Sequence, residues 1–249
     1  MLLHLCTWAE VEARLKTTKA IILPIGSTEQ HGPNGLIGTD AICAEVFARE
    51  VGEAADALVA PTIAVGMAQH HLGFAGSMTL RPSTLIAVVR DMVQSLARHG
   101  FERFFFINGH GGNVATVTAA FSEIYAEASL SPGGGNGYSP RCTLQNWYDM
   151  PAARQLSREL YGHQEGSHAT PSEVSVTFHA YPEAIKQAVL SPELAPSGRF
   201  TDSADYRRRF PDGRIGSNPG LARAEHGKRI LDAVVPELTS AYRHFAEGS

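Results

Sequence analysis

The chain has little cysteine: Cys6, Cys43 and Cys142, odd in number and far apart. That argues against a disulfide framework or a Cys-type zinc site, and it fits a reducing cytoplasm. Long apolar runs are missing, none approaching the roughly 20 residues a membrane-spanning helix needs. The first residues, MLLHLCTWAEVEARL, lack the basic start and the small-residue cleavage site of a signal peptide. Excess charge of either sign is missing too. With 21 Lys and Arg against 25 Asp and Glu, the net charge of −4 gives nucleic acid or an anionic membrane nothing to be drawn to. No internal repeat and no shift in composition divides the 249 residues, so 1–249 reads as one domain. A dinucleotide fingerprint is also absent, since no GxGxxG follows a strand with an acidic residue about 20 positions on.

Histidine is present in surplus. Eleven occur in a chain with only 18% charged residues, more than structure alone asks for. Their company is most telling in Ile21–Asp40, IILPIGSTEQHGPNGLIGTD. The apolar run Ile21–Ile25 reads as a buried strand and breaks at Gly26 into a polar loop. Glu29 and His31 are two apart, so in extended backbone both side chains leave one face. Asp40 follows a loop rich in Gly and Pro, and a helix is expected over Ala41–Val51. Carboxylate, imidazole and carboxylate at the carboxyl end of a buried strand stand where an open α/β sheet keeps its active site. Such donors suit Zn, Mn or Fe. Read alone, Glu29 and Asp40 serve equally as caps of turns or of the helix.

Strands and helices alternate along the rest. A small helix is expected over Thr7–Leu15 and a second buried strand over Leu58–Val65, with a short edge element at Gly76–Leu80. Ser83 reads as the N-cap of a helix over Thr84–His99, whose Leu85, Val88, Val89, Met92, Val93 and Leu96 form one apolar stripe that Gly100 ends. Arg103–Ile107 (RFFFI) is apolar on both faces and reads as a buried strand. A helix over Val114–Ala128, a connector over Ser131–Pro140 (SPGGGNGYSP) and a fourth strand over Arg141–Trp147 follow. A polar loop leads into a helix near Ser172–His179, and Leu221–Phe245 closes the chain as a helix. Gln187–Gly220, with the basic run Arg207–Arg209, reads as irregular: a lid, a subunit contact or plain surface. The pattern predicts parallel βαβ units in a three-layer α/β/α sandwich with a mainly parallel sheet.

Two further stretches carry chemistry. NGHGGN at 108–113 sets a Gly-rich turn between strand and helix, which lets backbone N–H groups approach a ligand and aims His110 at the same sheet edge. In EGSHATPSE at 165–173, His168 and Glu173 stand five apart across a turn. Folded over the sheet edge, Glu173 supplies a second metal carboxylate and His168 an acid or base. Otherwise Glu173 caps the helix and His168 lies exposed.

These stretches resemble the creatininase (creatinine amidohydrolase) family over nearly the whole chain: LPIGSTEQHGPNGLIGTD at 23–40, INGHGGN at 107–113, NWYD at 146–149, SHATPSEVS at 167–175 and GRIGSNPGLARAEHGKRIL at 213–231. The resemblance implies a single α/β/α domain around two divalent ions per chain that hydrolyses a C–N bond of an amide, often in a ring, in a cyclic homo-oligomer that is commonly a hexamer. It implies that Glu29 and His110 bind one ion, His31 the other, and Asp40 both. Creatininase itself reads NGHYEN in the second motif, with a metal-binding Glu where this chain has Gly112, so Glu173 is expected as the replacement. It also has an acid immediately before the third-motif His and a Trp shortly upstream, where this chain has Ser167 and Gln164. Trp147 is expected as an aromatic wall, and creatinine is not expected as the substrate.

In the mechanism this implies, metal-activated hydroxide attacks the carbonyl, the N–H groups of Gly111 and Gly112 steady the oxyanion, and His168, or Glu165 in reserve, protonates the departing nitrogen. A hydrolase or isomerase of a sugar- or polyol-derived carbonyl compound, and a non-catalytic ligand-binding relative, remain alternatives. The intact set of five ligand-type residues speaks against the second.

Overall fold

The computed structural model of the chain describes residues 1–130 and 140–248. The connector expected over 131–140 lies, apart from Pro140, outside the described residues. In chain order these form α1 (Trp8–Arg14), β1 (Ala20–Ile25), α2 (Thr39–Ala54), β2 (Leu58–Val59), α3 (Pro82–Ala97), β3 (Arg103–Asn108), α4 (Val114–Leu130), β4 (Arg141–Asn146), α5 (Pro151–Tyr161), α6 (Pro171–Ala180), α7 (Ser203–Arg209) and α8 (Ala224–Glu247).

The strands form one parallel sheet in the order β2–β1–β3–β4. Successive residues of a strand point to opposite faces, and both faces here are apolar. Ile21, Leu23 and Ile25 of β1, with Phe104 and Phe106 of β3, pack against Leu85, Val89 and Val93 of α3 and Val117 and Phe121 of α4. Ala20 and Ile22, with Phe105 and Ile107, pack on the other side against Phe47 and Val51 of α2 and Ile230, Val234 and Leu238 of α8. Helix, sheet and helix thus make three layers, as the alternation of strands and helices predicts.

Several boundaries differ from the sequence reading. The second strand is only Leu58–Val59, because Pro61 has no N–H to give the ladder. Pairing resumes as an isolated bridge from Ile63 to Ile25. The stretch at Gly76–Leu80 forms no strand, although Met78 N–H donates to the Thr28 carbonyl at 2.9 Å. Helix α3 begins one residue ahead of Ser83, with Pro82 in its first turn and Arg81 as the N-cap residue, since proline's fixed φ suits that position. The segment expected to be irregular over 187–220 contains α7 and is fastened by Arg214. That fully buried side chain donates to the carbonyls of Pro192 (2.7 Å) and Glu193 (2.6 Å) and pairs with Asp212 at 2.6 Å. All three cysteines are free. No helix among the described residues is long and apolar enough to cross a membrane.

β1 and β3 are neighbours, with Ile25 opposite Asn108. The loops carrying the first two motifs therefore leave the sheet side by side at its carboxyl edge.

Candidate metal centre

Two glycines let the start of α2 settle on that edge. A Cβ at Gly26 would stand 2.4 Å from the Ala41 nitrogen, and one at Gly109 only 2.1 Å from the Asp40 carbonyl oxygen. No other residue fits so close. Asp40, expected just before the helix, lies in its first turn, where the helix dipole favours a carboxylate.

Glu29, His31, Asp40 and His110, four of the five expected ligands, are buried together. Asp40 stands between two imidazoles: Oδ1 is 3.0 Å from His31 Nε2 and Oδ2 is 2.9 Å from His110 Nδ1. Glu29 Oε1 is 3.3 Å from His110 Nδ1. Its Oε2 accepts the Ser27 hydroxyl at 2.9 Å. Glu173 joins from α6 with Oε1 3.9 Å from His31 Nε2. It fills the helix-capping role as well, since Oε1 accepts Thr170 N–H at 2.5 Å.

The donor chemistry of this group fits divalent ions. His110 Nε2–H donates to the Met67 carbonyl at 3.1 Å, which turns Nδ1 toward Glu29 and Asp40. His31 Nδ1–H donates to the Glu29 carbonyl at 3.0 Å, which turns Nε2 toward Asp40 and Glu173. Fixing the distal N–H in this way is how metal-binding imidazoles are held. Glu29 Oε1 and Asp40 Oδ2 are buried acceptors that imidazole nitrogens approach, His71 Nε2 at 3.0 Å and His110 Nδ1 at 2.9 Å. Among the described residues, three trios bring their ligand atoms within 4.8 Å of one another: Glu29–Asp40–His110, His31–Asp40–Glu173 and Glu29–His31–His168. The first two share Asp40. Without cations, protons balance the charge. Burial opposes ionising His31, yet the Asp40, Glu173 and Glu29 carboxylates push its pKa up to about 10. His110, likewise buried, is pushed up to about 9 by Glu29 and Asp40. Burial pushes Glu173 up to about 7, against the pull of His31.

His168 and Glu165 both line a cavity of about 620 Å³ that opens onto this cluster. His168 Nε2–H donates to the Gln30 carbonyl at 2.9 Å, and Nδ1 stands 3.9 Å from Glu29 Oε1. Burial pushes its pKa well below the ordinary value, so the ring is neutral. Glu165 Oε1 accepts the Ser172 hydroxyl, Oε2 has no hydrogen bond, and burial raises its pKa. Gly111 and Gly112 line the same cavity. Trp147 does not. Expected as an aromatic wall, it is 1% exposed and stacks on Phe47 of α2 at 4.9 Å, and its neighbour Tyr148 faces the cavity instead.

Three residues of the site escaped the sequence reading. His71 Nε2 is 3.0 Å from Glu29 Oε1. The Gln30 amide donates to His71 Nδ1 at 2.9 Å and to the Gly213 carbonyl at 2.9 Å, with its nitrogen 2.8 Å from His168 Nε2. Tyr206 of α7 gives its hydroxyl to the same carbonyl at 2.7 Å and sets its ring 4.7 Å from that of His71. The one available signal was the His70–His71 doublet at the end of the second apolar run.

The family model for creatininase, described as creatinine amidohydrolase, matches residues 4–242. The chain belongs to the creatininase family. It is 35% identical to the creatinine amidohydrolase of Pseudomonas putida, over 95% of this chain and 94% of that one. It is 30% identical to the mycofactocin precursor peptide peptidase of Mycobacterium ulcerans, over 93% of this chain and 88% of that one. Among solved structures, one named "Creatininase Mn" superposes with a TM-score of 0.80 at 26% identity and covers 98% of each chain. The protein is thus an amidohydrolase of this family whose His/Glu/Asp cluster is able to hold metal.

One departure from creatininase itself has a local cause. A Cβ at Gly112 would stand 2.3 Å from His110 Nε2 and 2.7 Å from the Met67 carbonyl oxygen, the pair that orients His110. A side chain at 112 would have to displace that pair, and the carboxylate of Glu173 reaches the cluster from α6 instead.

Proposed function

We propose that this creatininase-family chain is a dinuclear-metal-dependent amidohydrolase that cleaves the C–N bond of a small amide. The observation that supports it best is Asp40, whose two oxygens face His31 Nε2 and His110 Nδ1 at 3.0 and 2.9 Å. Glu29, Asp40 and His110 would hold one ion, and His31, Asp40 and Glu173 the other. When bound, two divalent ions (Zn, Mn or Fe) supply an activated water and a Lewis acid for the carbonyl. The chain's own residues do the rest. Neutral His168, its Nδ1 toward the cluster, accepts a proton from the attacking water and hands it to the departing nitrogen. Glu165, whose pKa burial raises, is the reserve donor. The N–H groups of Gly111 and Gly112, on the cavity wall ahead of α4, steady the carbonyl oxygen as it gains charge.

Creatinine is not the substrate in this reading, because Ser167 and Gln164 stand where the resemblance places an acid and a Trp. The reading includes a cytoplasmic homo-oligomer, a hexamer by resemblance, for which exposed Leu5, Trp8 and Val189 offer apolar surface. The test is elemental analysis of protein purified without chelator or His tag, followed by hydrolysis of an amide panel that includes creatinine. About two ions per chain and cleavage of amides other than creatinine are expected. A chain that takes up no divalent metal under any loading condition, or cleaves no amide when loaded, sinks the proposal. Creatinine turnover at a creatininase-like rate would overturn the substrate part alone.

A further inference from the structure

The cavity has a second charged wall, built by α5. Arg154, Ser157 and Arg158 fall at helical spacing on one face, and all three line the cavity. The two arginines differ in company. Arg154 Nη2 is 2.7 Å from Asp149 Oδ1, so its charge is matched. The exposed Arg158 guanidinium has no ion pair and no hydrogen bond among the described residues. Glu165, on the same wall, turns Oε1 to Ser172 instead.

Nothing in the amide chemistry proposed above uses Arg158. A neutral ring amide would leave this cation facing the substrate with nothing to bind. The carboxylates of Glu29, Asp40 and Glu173 offset all but one of the charges that two divalent ions bring, and Arg154 is cancelled by Asp149. Arg158 is the cation on this wall that no carboxylate of the described residues pairs with. A guanidinium fork matches the two oxygens of a carboxylate. At about 620 Å³ the cavity lies within the range that encloses a small-molecule ligand, so one molecule is able to touch both walls.

We propose that Arg158 is a specificity-determining residue that binds a carboxylate of the substrate, which is therefore an amide carrying a free carboxylate, such as an N-acyl amino acid or the carboxyl end of a peptide. The proposal rests on the amidohydrolase reading for the reacting end of the molecule. Its test uses metal-loaded full-length protein and paired probes, N-acetyl dipeptides with a free C-terminal carboxylate and the same dipeptides as carboxamides. Binding is measured by calorimetry and cleavage by product analysis, for wild type, Arg158→Gln and Arg158→Lys.

The expected result is binding of the carboxylates at least 10-fold tighter than the carboxamides. Arg158→Gln should abolish that preference and Arg158→Lys keep part of it, with metal content unchanged in both. Equal binding of the two members of a pair by wild type overturns the proposal, as does no binding of either. A preference that survives in Arg158→Gln overturns it too, and places the carboxylate on the metal ions. A preference that depends on Arg158 without any cleavage keeps the subsite and counts against the amidohydrolase reading. Cleavage indifferent to Arg158 does the reverse.

Discussion

The His71 ring stands 3.0 Å by its Nε2 from Oε1 of Glu29, the carboxylate that faces most of the imidazoles in the site. Gln30 sets its tautomer. The Gln30 oxygen is occupied by Gly32 N–H at 2.9 Å, and its nitrogen points at the Gly213 carbonyl and at His71 Nδ1, both at 2.9 Å. His71 Nδ1 is thus the acceptor and Nε2 carries the proton toward Glu29. Burial, reinforced by the neighbouring imidazoles, pushes the His71 pKa down to about 2, so it stays neutral and orients Glu29 without adding charge.

His71→Ala should therefore weaken metal binding without emptying the site, because Glu29, Asp40 and His110 all remain. A loss of roughly 10- to 100-fold in affinity is expected for one ion, as for other residues that orient a ligand. Competition against a chromophoric chelator measures it. Unchanged affinity for both ions would show that Glu29 needs no such support.

Gly112→Ala should move His110, since the new methyl would meet the ring nitrogen that donates to Met67. One of the two ions should be lost or bound far more weakly, while the other, on His31, Asp40 and Glu173, stays. Metal counting on this variant reads the effect directly. Full retention of both ions would show that the 110–113 turn can relax.

Protons and metal compete for the same nitrogens. In the metal-free chain His31 and His110 keep their protons up to about 10 and about 9. Metal binding at pH 7 should therefore release protons from both rings, and affinity should rise with pH toward 9–10. Calorimetry in buffers of different ionisation enthalpy counts them, and more than one per chain is expected. Unfolded histidine titrates near 6.5, so the folded metal-free chain holds more protons between that pH and 9–10. The stability these groups contribute is complete below about 6.5 and lost as pH rises through 9–10. Denaturant titration of the metal-free chain at pH 6 and pH 10 should show the lower midpoint at pH 10.

The sheet and most of the site were legible because parallel strands buried on both faces read as unbroken apolar runs. Ile21–Ile25 and Arg103–Ile107 are such runs, and the polar residues directly after each had to emerge at one edge. His71 was harder. It reaches Glu29 from a loop 42 positions away in sequence, and local pattern does not report which loops converge. Trp147 and Tyr148 show another limit. Adjacent side chains at a strand end point different ways, and stacking on Phe47 decided which of them went into the core. In α7 the run Arg207–Arg209 hid a short helix whose Tyr206 turns inward to the Gln30 hub.

His168 is able to act in two ways here, since it lines the cavity and also forms a ligand-type trio with Glu29 and His31. The Gln30 carbonyl takes its Nε2–H at 2.9 Å, so whichever role it has is performed by Nδ1, which faces Glu29 at 3.9 Å. The two pairs of residues that would serve the ions under this proposal, Glu29 with His110 and His31 with Glu173, are complete around Asp40 without it. His168→Ala should therefore keep metal content near that of wild type while kcat falls by roughly 10²-fold or more. An amide with a better leaving group should recover much of the loss, because its nitrogen needs the proton less. His110→Ala should lose metal and activity together, with no such recovery. If His168→Ala loses metal as well, its Nδ1 is a ligand and Glu165, whose pKa burial raises, becomes the donor. A variant with both metal and rate intact would remove His168 from the mechanism altogether.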